Sequence, residues 1–310
     1  MVNRMLIRVK VVQIMYDYYI SRGVKVPSEA VAELTKSLDA SYELYNNLLR
    51  LIVDITYLQD RDLDEARYRY GATDEDRHPD RRFVDIELAQ RLSHDEKLCE
   101  FIKAHPFSWL DDEMLARHIL QAILNSDLYN EYMRLPATDR ASEYLLWRRL
   151  FKDVILPDEE LLEALQTRSI YLGEDDLETM GDFVVKTIKR FEHNEIVPLL
   201  PQYKDEEDEL FGPTLLRDTI NNIDINNELI DHCVKTGRWS SDRLAVMDRV
   251  IMLVALTELR SINKIPTAVT LNEYIELAKC FSTRQSGPFV NGVLMAALNN
   301  LRSNGGVVKP

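Results

Sequence analysis

Apolar side chains near the start of the chain fall at Met5, Val9, Val12, Tyr16 and Tyr19. These steps of three and four predict an amphipathic helix over 4–20. Arg4 and Arg8 are four apart, so they share a face away from that stripe. A linker-like stretch, 21-SRGVKVP-27, follows, then helical pattern over 28–68 up to the charged loop 71-GATDEDRHPDRR-82. Further helical periods cover 84–104, 111–133, 141–155, 158–167 and 174–195, with Pro106, Pro136, Pro157 and Gly173 between them as helix punctuation. Five consecutive acids, Asp205 to Glu209, then read as a solvated linker. Helical pattern resumes near 212–235, 241–262, 270–280 and 288–302. Thr270-Leu271-Asn272-Glu273 fits a capping box, and Ser286 with Pro288 in the following turn fits the start of the last helix. The elbow 282-STRQSGP-288 is thereby expected between two well-started helices. The predicted fold class is all-α.

Charge changes this picture only through its distribution. The 310 residues carry a net −14, which argues against a nucleic-acid partner if taken as one number. Residues 1–20 are net +2 and residues 240–310 net +3, leaving −19 in between. Two mildly basic ends thus flank one acidic body. The chain is long enough for one large or two ordinary domains, and its 10 glycines favour helices over sheet. No run of about 18 apolar residues suggests a membrane span. The N-terminal stretch has charges within its apolar run and makes a poor signal peptide. Cys99, Cys233 and Cys280 lie far apart, which fits three unpaired thiols in a reducing cytoplasm.

Enzymatic constellations are missing from the sequence. It contains no GxxxxGK[ST], GxGxxG, HExxH or GxSxG, and its 6 histidines lack ligand spacing. No catalytic residue, metal or cofactor is expected.

The stretch 242-DRLAVMDRVIMLVALTELRSINKIPTAVTLNEYIELAKCFSTRQSGPFVNGVL-294 resembles the bacterial transcription antitermination factor NusB family. An EL at 258–259, the run through IP and NE to ELAK and FS, and the closing FVNGVL carry the resemblance. The segment 211-FGPTLLRDTINNIDINNELID-231 looks like the family's entry into this region, and RVKVVQIMY resembles its opening basic helix. The resemblance implies a helical bundle at the C-terminus, residues 211–310, joined by the helix 1–20. Residues 21–200 would be an acidic helical extension without counterpart, and 201–210 an acidic linker.

The same resemblance implies a non-catalytic factor acting in the RNA polymerase antitermination complex. It would pair with NusE, a small-subunit ribosomal protein, and bind a single-stranded boxA element in nascent ribosomal RNA. By position in the motif, Arg4, Arg8 and Lys10 would approach the RNA backbone, and Arg284, Gln285, Ser286 and Phe289 would contact RNA at the elbow. Asp248, Arg249, Glu258 and Thr267 fall on the NusE-facing stretch. Met5 and Leu6 stand where other members carry basic residues, so a protein-binding scaffold with weak RNA affinity is the alternative. The expected arrangement is a single strip in which the first helix lies beside the elbow. Arg8→Ala should then weaken RNA binding without unfolding the protein.

Overall fold

A computed structural model of the chain describes residues 2–21, 24–193, 197–236, 244–283 and 285–303. Among them every regular element is helical and no strand occurs. In chain order the α-helices are α1 (Arg4–Ile20), α2 (Pro27–Tyr68), α3 (Asp74–Arg77), α4 (Glu87–Ser93) and α5 (Glu96–Ala104). They continue with α6 (Glu113–Leu124), α7 (Asp127–Met133), α8 (Arg140–Leu150), α9 (Glu159–Arg168) and α10 (Glu174–His193). The last five are α11 (Glu206–Asn221), α12 (Ile223–Thr236), α13 (Val246–Ser261), α14 (Thr267–Phe281) and α15 (Ser286–Ser303). The chain forms two compact units, one of Asp39–Gln202 and the other of Val2–Leu38 with Tyr203–Pro310.

Short polar residues divide several of the expected long helices. Asp95 accepts the Leu98 amide at 3.0 Å and so starts α5 afresh after α4. Ser126 caps α7 through the Tyr129 amide at 3.1 Å. Asn222 ends α11, its side chain donating to the Asp218 carbonyl at 2.7 Å. Apolar spacing carries on across each break, so periodicity alone reads two helices as one. The acidic run also differs from expectation. Asp205 caps α11 through the Asp208 amide at 3.0 Å, and Glu206 to Glu209 form its first turn. Carboxylates are favoured there by the positive end of the helix dipole.

In the Asp39–Gln202 unit, α2 and α10 are joined by buried polar contacts. Tyr45 OH lies 2.8 Å from Thr187 Oγ1 and takes the Leu200 amide at 3.2 Å. Ser41 donates to Asp176 at 2.6 Å. A 3-10 turn, Trp109–Asp111, is pinned to α2 through Trp109 Nε1 on the Asn47 carbonyl at 2.7 Å. Trp147 of α8 is buried and stacks on Phe83 with ring centroids 5.5 Å apart. α8 runs on into a single π-helical turn, Phe151–Ile155.

The other unit is built round α1 and α13. α13 is buried without interruption from Val250 to Leu259, and α1 is buried along most of its length. A helix apolar on all sides is a core helix. Gly212 of α11 allows the close approach of Ile7, whose methyl lies 2.8 Å from where a Cβ would stand.

Candidate nucleic-acid interface

α1 meets α13 and α14 at a buried charge. Arg8 donates from Nε and Nη2 to the two carboxylate oxygens of Glu258, each at 2.8 Å. Thr270 donates to Glu258 Oε1 at 2.7 Å and Tyr274 to Oε2 at 2.8 Å. Arg8 is only 3% exposed, and Glu258 not at all. A carboxylate inside a run as apolar as 250-VIMLVALTEL-259 must be paired, because an isolated buried charge is prohibitively unfavourable. Burial opposes the charged form of Glu258, but the Arg8 hydrogen bond and charge, with the Thr270 and Tyr274 hydroxyls, outweigh it and hold its carboxyl below the usual glutamate range.

This lowering has a sign that experiment can check. A depressed carboxyl stabilises the fold above its ordinary pKa of 4.5, and that contribution is lost as pH falls through the folded value. The stability gap between the native chain and Glu258→Gln, read from urea midpoints, is expected to be wide at neutral pH. Below 4.5 it should narrow steadily.

Arg4, one turn earlier, faces α11. Its Nε donates to Asp208 at 2.7 Å and its Nη2 to Glu207 at 3.1 Å. Lys264 Nζ reaches the other oxygen of Glu207 at 2.5 Å and is itself 75% exposed. The guanidinium carbons of Arg4 and Arg8 stand 5.4 and 5.3 Å from the centre of the Phe211 ring. The two arginines do share a face, but α11 covers it. Lys10 is 1% exposed and has its own partner. The expected solvent-facing basic helix is thus corrected: Arg8 and Lys10 are interior, and Arg4 is held by two carboxylates.

The elbow is organised at the other end of α13. Ser286 Oγ donates to Asp248 Oδ2 at 3.0 Å and receives the Thr283 amide at 3.2 Å. Ser286 is therefore buried and ties α15 to α13, rather than offering its hydroxyl to solvent. Thr283 and Gln285 are exposed, and Phe289 is half-buried. The Lys279 stem lies across Gly287, 2.9 Å from where a Cβ would be. Arg284 falls outside the described residues. Asp248 and Glu258 are ten positions apart on α13, about 15 Å along its axis. The structure therefore sets the Arg8 cluster and the elbow apart, and the single strip expected from sequence does not form.

Of the stretch expected to face a protein partner, Asp248, Glu258 and Thr267 are buried. Only Arg249 is partly open, donating to Asn227 at 3.0 Å and Asp231 at 2.8 Å. The capping box also resolves differently. α14 begins at Thr267 behind Pro266, one turn early, and the Thr270 hydroxyl serves Glu258 instead of capping the helix. Sequence reasoning missed Lys264, Tyr274 and the Glu207–Asp208 grip on Arg4. The first two carry no local signal, whereas the acid run itself marked the third.

The class defined by these elements is an all-α domain held by a buried arginine–glutamate pair, with a polar exposed elbow. Residues 178–299 match the NusB family, so the chain carries a NusB-family domain in its C-terminal part. It is 35% identical over 106 residues to a transcription antitermination protein NusB of Salinibacter ruber, covering 34% of this chain and 65% of that one. A namesake from Chloroherpeton thalassium is 36% identical over 92 residues, 29% of this chain and 42% of the relative. A third, from Bacillus thuringiensis, is 41% identical over 71 residues, 22% and 55% of the two chains. The chain thus spans less than two thirds of the length of each of these relatives. No solved structure matches it significantly. Among the described residues no helix is long and apolar enough to cross a membrane.

Proposed function

We propose that this chain is a non-catalytic transcription antitermination factor. In this reading it pairs with a NusE-type ribosomal protein within the RNA polymerase antitermination complex and binds boxA-like single-stranded RNA. The observation that carries the reading is the family match over 178–299, which spans the elbow and all of α13 and α14. The elbow supports it chemically. Exposed Gln285 can donate to and accept from a base edge, and Phe289 offers part of a ring to a neighbouring base. Arg284 precedes Gln285 in sequence and would bring a cation to the same segment. Ser286 and Asp248 act by fixing the elbow's shape. In the same way Glu258 and Thr267 hold helices in place, while Arg249 marks the accessible edge for the protein partner.

A second reading is a protein-binding scaffold with little RNA affinity. It is favoured by one observation: of Arg4, Arg8 and Lys10, two are buried and the third is ion-paired. The two separate by titrating labelled boxA RNA with the protein, alone and with NusE present, and following anisotropy. The first reading expects saturable binding and a shallow salt slope, because few phosphates are neutralised. Gln285→Ala should weaken it about tenfold, as for one lost base contact, with an unchanged melting temperature. Absence of binding even with NusE would leave only the scaffold.

A further inference from the structure

The Asp39–Gln202 unit carries a groove that the family domain's proposed role does not use. It opens between the π-helical turn with the start of α9 on one side and α10 on the other, and has a volume of about 560 Å³. Its floor is apolar, from Leu156, Leu162 and Leu177. Leu156 is delivered there by the π turn and sits over Gly181, where any Cβ would collide with it. Single π turns recur where a helix has been reshaped for a task.

The rim is acidic. Glu174, Glu178 and Asp182 follow one another at four-residue steps on α10, so they share one face over about 12 Å. Glu159 adds a fourth carboxylate from α9, against the single cation Lys152. All four are exposed, and none has a partner among the described residues. Asp158 also lines the groove but is engaged by His118 at 2.7 Å. Among the described residues no three His, Cys, Asp or Glu side chains come close enough to hold a metal ion. The spacing therefore does not suit a bound cation, and the sign of the charge repels phosphate.

We propose that this groove docks a basic amphipathic helix of a partner protein. Such a helix lays lysines or arginines one turn apart along Glu174, Glu178 and Asp182. Its leucine-like side chains between them reach Leu156 and Leu162. Recognition of this kind combines apolar anchors, which hold, with complementary charge, which selects. The inference concerns the π turn, α9 and α10 and stands whether or not the elbow binds RNA.

The test uses the full chain and a fluorescein-labelled helical peptide of about 18 residues, long enough to hold a helix once bound. It carries leucines on one face and lysines at four-residue spacing, with a glutamate-for-lysine version as control. The lysine peptide is expected to bind, and the control is not. Replacing Glu174→Gln, Glu178→Gln and Asp182→Asn together should weaken binding about tenfold, from three exposed pairs of modest strength. An equal charge change elsewhere, Glu75→Gln with Glu96→Gln and Glu100→Gln, should leave affinity within about twofold. Leu162→Ser should weaken binding too, and circular dichroism confirms that each variant is folded. Equal loss in both triple variants, or indifference to Leu162→Ser, overturns the proposal in favour of general electrostatic attraction. Self-association of the chain without peptide, abolished by the first triple variant, overturns it in favour of a contact between copies.

Discussion

Arg8→Ala is expected to remove about 3–5 kcal/mol of stability from the unit built on α1 and α13, the magnitude typical of breaking a buried ion pair on one side. The reason lies in what remains. Glu258 is fully buried, and without the guanidinium its charge loses the cation that both carboxylate oxygens engage, while the Thr270 and Tyr274 hydroxyls donate only neutral hydrogen bonds. It would have to take up a proton or draw water into the core. The measurement is a urea or thermal melt at neutral pH with hydrogen-exchange protection followed in α13 and α14. A midpoint within error of the native one would show that Glu258 does not depend on Arg8. A comparison sharpens the test. Replacing both members, Arg8→Met with Glu258→Met, should lose less than Arg8→Ala alone, because no unpaired charge is left behind. Any RNA assay on Arg8→Ala would therefore report unfolding first, so Gln285 is the cleaner probe of the elbow.

Trp147→Ala is expected to be as severe in the Asp39–Gln202 unit, with a loss of about 3–5 kcal/mol. Trp147 has no exposed surface, stacks on Phe83, and sits one turn before the π-helical segment. Its removal leaves a cavity that neighbours held by several helices cannot collapse into. Its indole nitrogen has no hydrogen-bond partner among the described residues. Trp147→Phe should accordingly lose much less than the alanine variant, since it keeps most of the ring and deletes an unsatisfied donor. Calorimetry of the three chains gives the order directly. A phenylalanine variant as unstable as the alanine one would show that the nitrogen is engaged after all.

The helical class and most of the punctuation were legible in the sequence because they are local. Pro157 and Gly173 separate helices, and α1 occupies the expected residues. What escaped was long-range. Arg8 and Glu258 lie 250 positions apart, and nothing near either names the other. Glu258 was nevertheless visible as a lone charge in an apolar run, and that is the signature of a paired interior group rather than of a surface one. The spacing of Arg4 and Arg8 correctly placed them on one face. It could not tell that α11, begun by the acid run, would cover that face. At the elbow, the family resemblance suggested Ser286 as a binding group, but its partner Asp248 belongs to another helix and turns the hydroxyl inward. A site made of groups from several helices is legible only once those helices are packed.

The grip of Glu207 and Asp208 on Arg4 also sets the terms for any anion that meets the start of α1. A polyanion arriving at the start of α1 finds carboxylates already seated where its own oxygens would go, and must evict them to gain anything. Under the proposed RNA-binding role, indiscriminate adhesion to bulk transcripts would be disfavoured at that end, and selection would fall to the exposed Gln285 amide at the elbow.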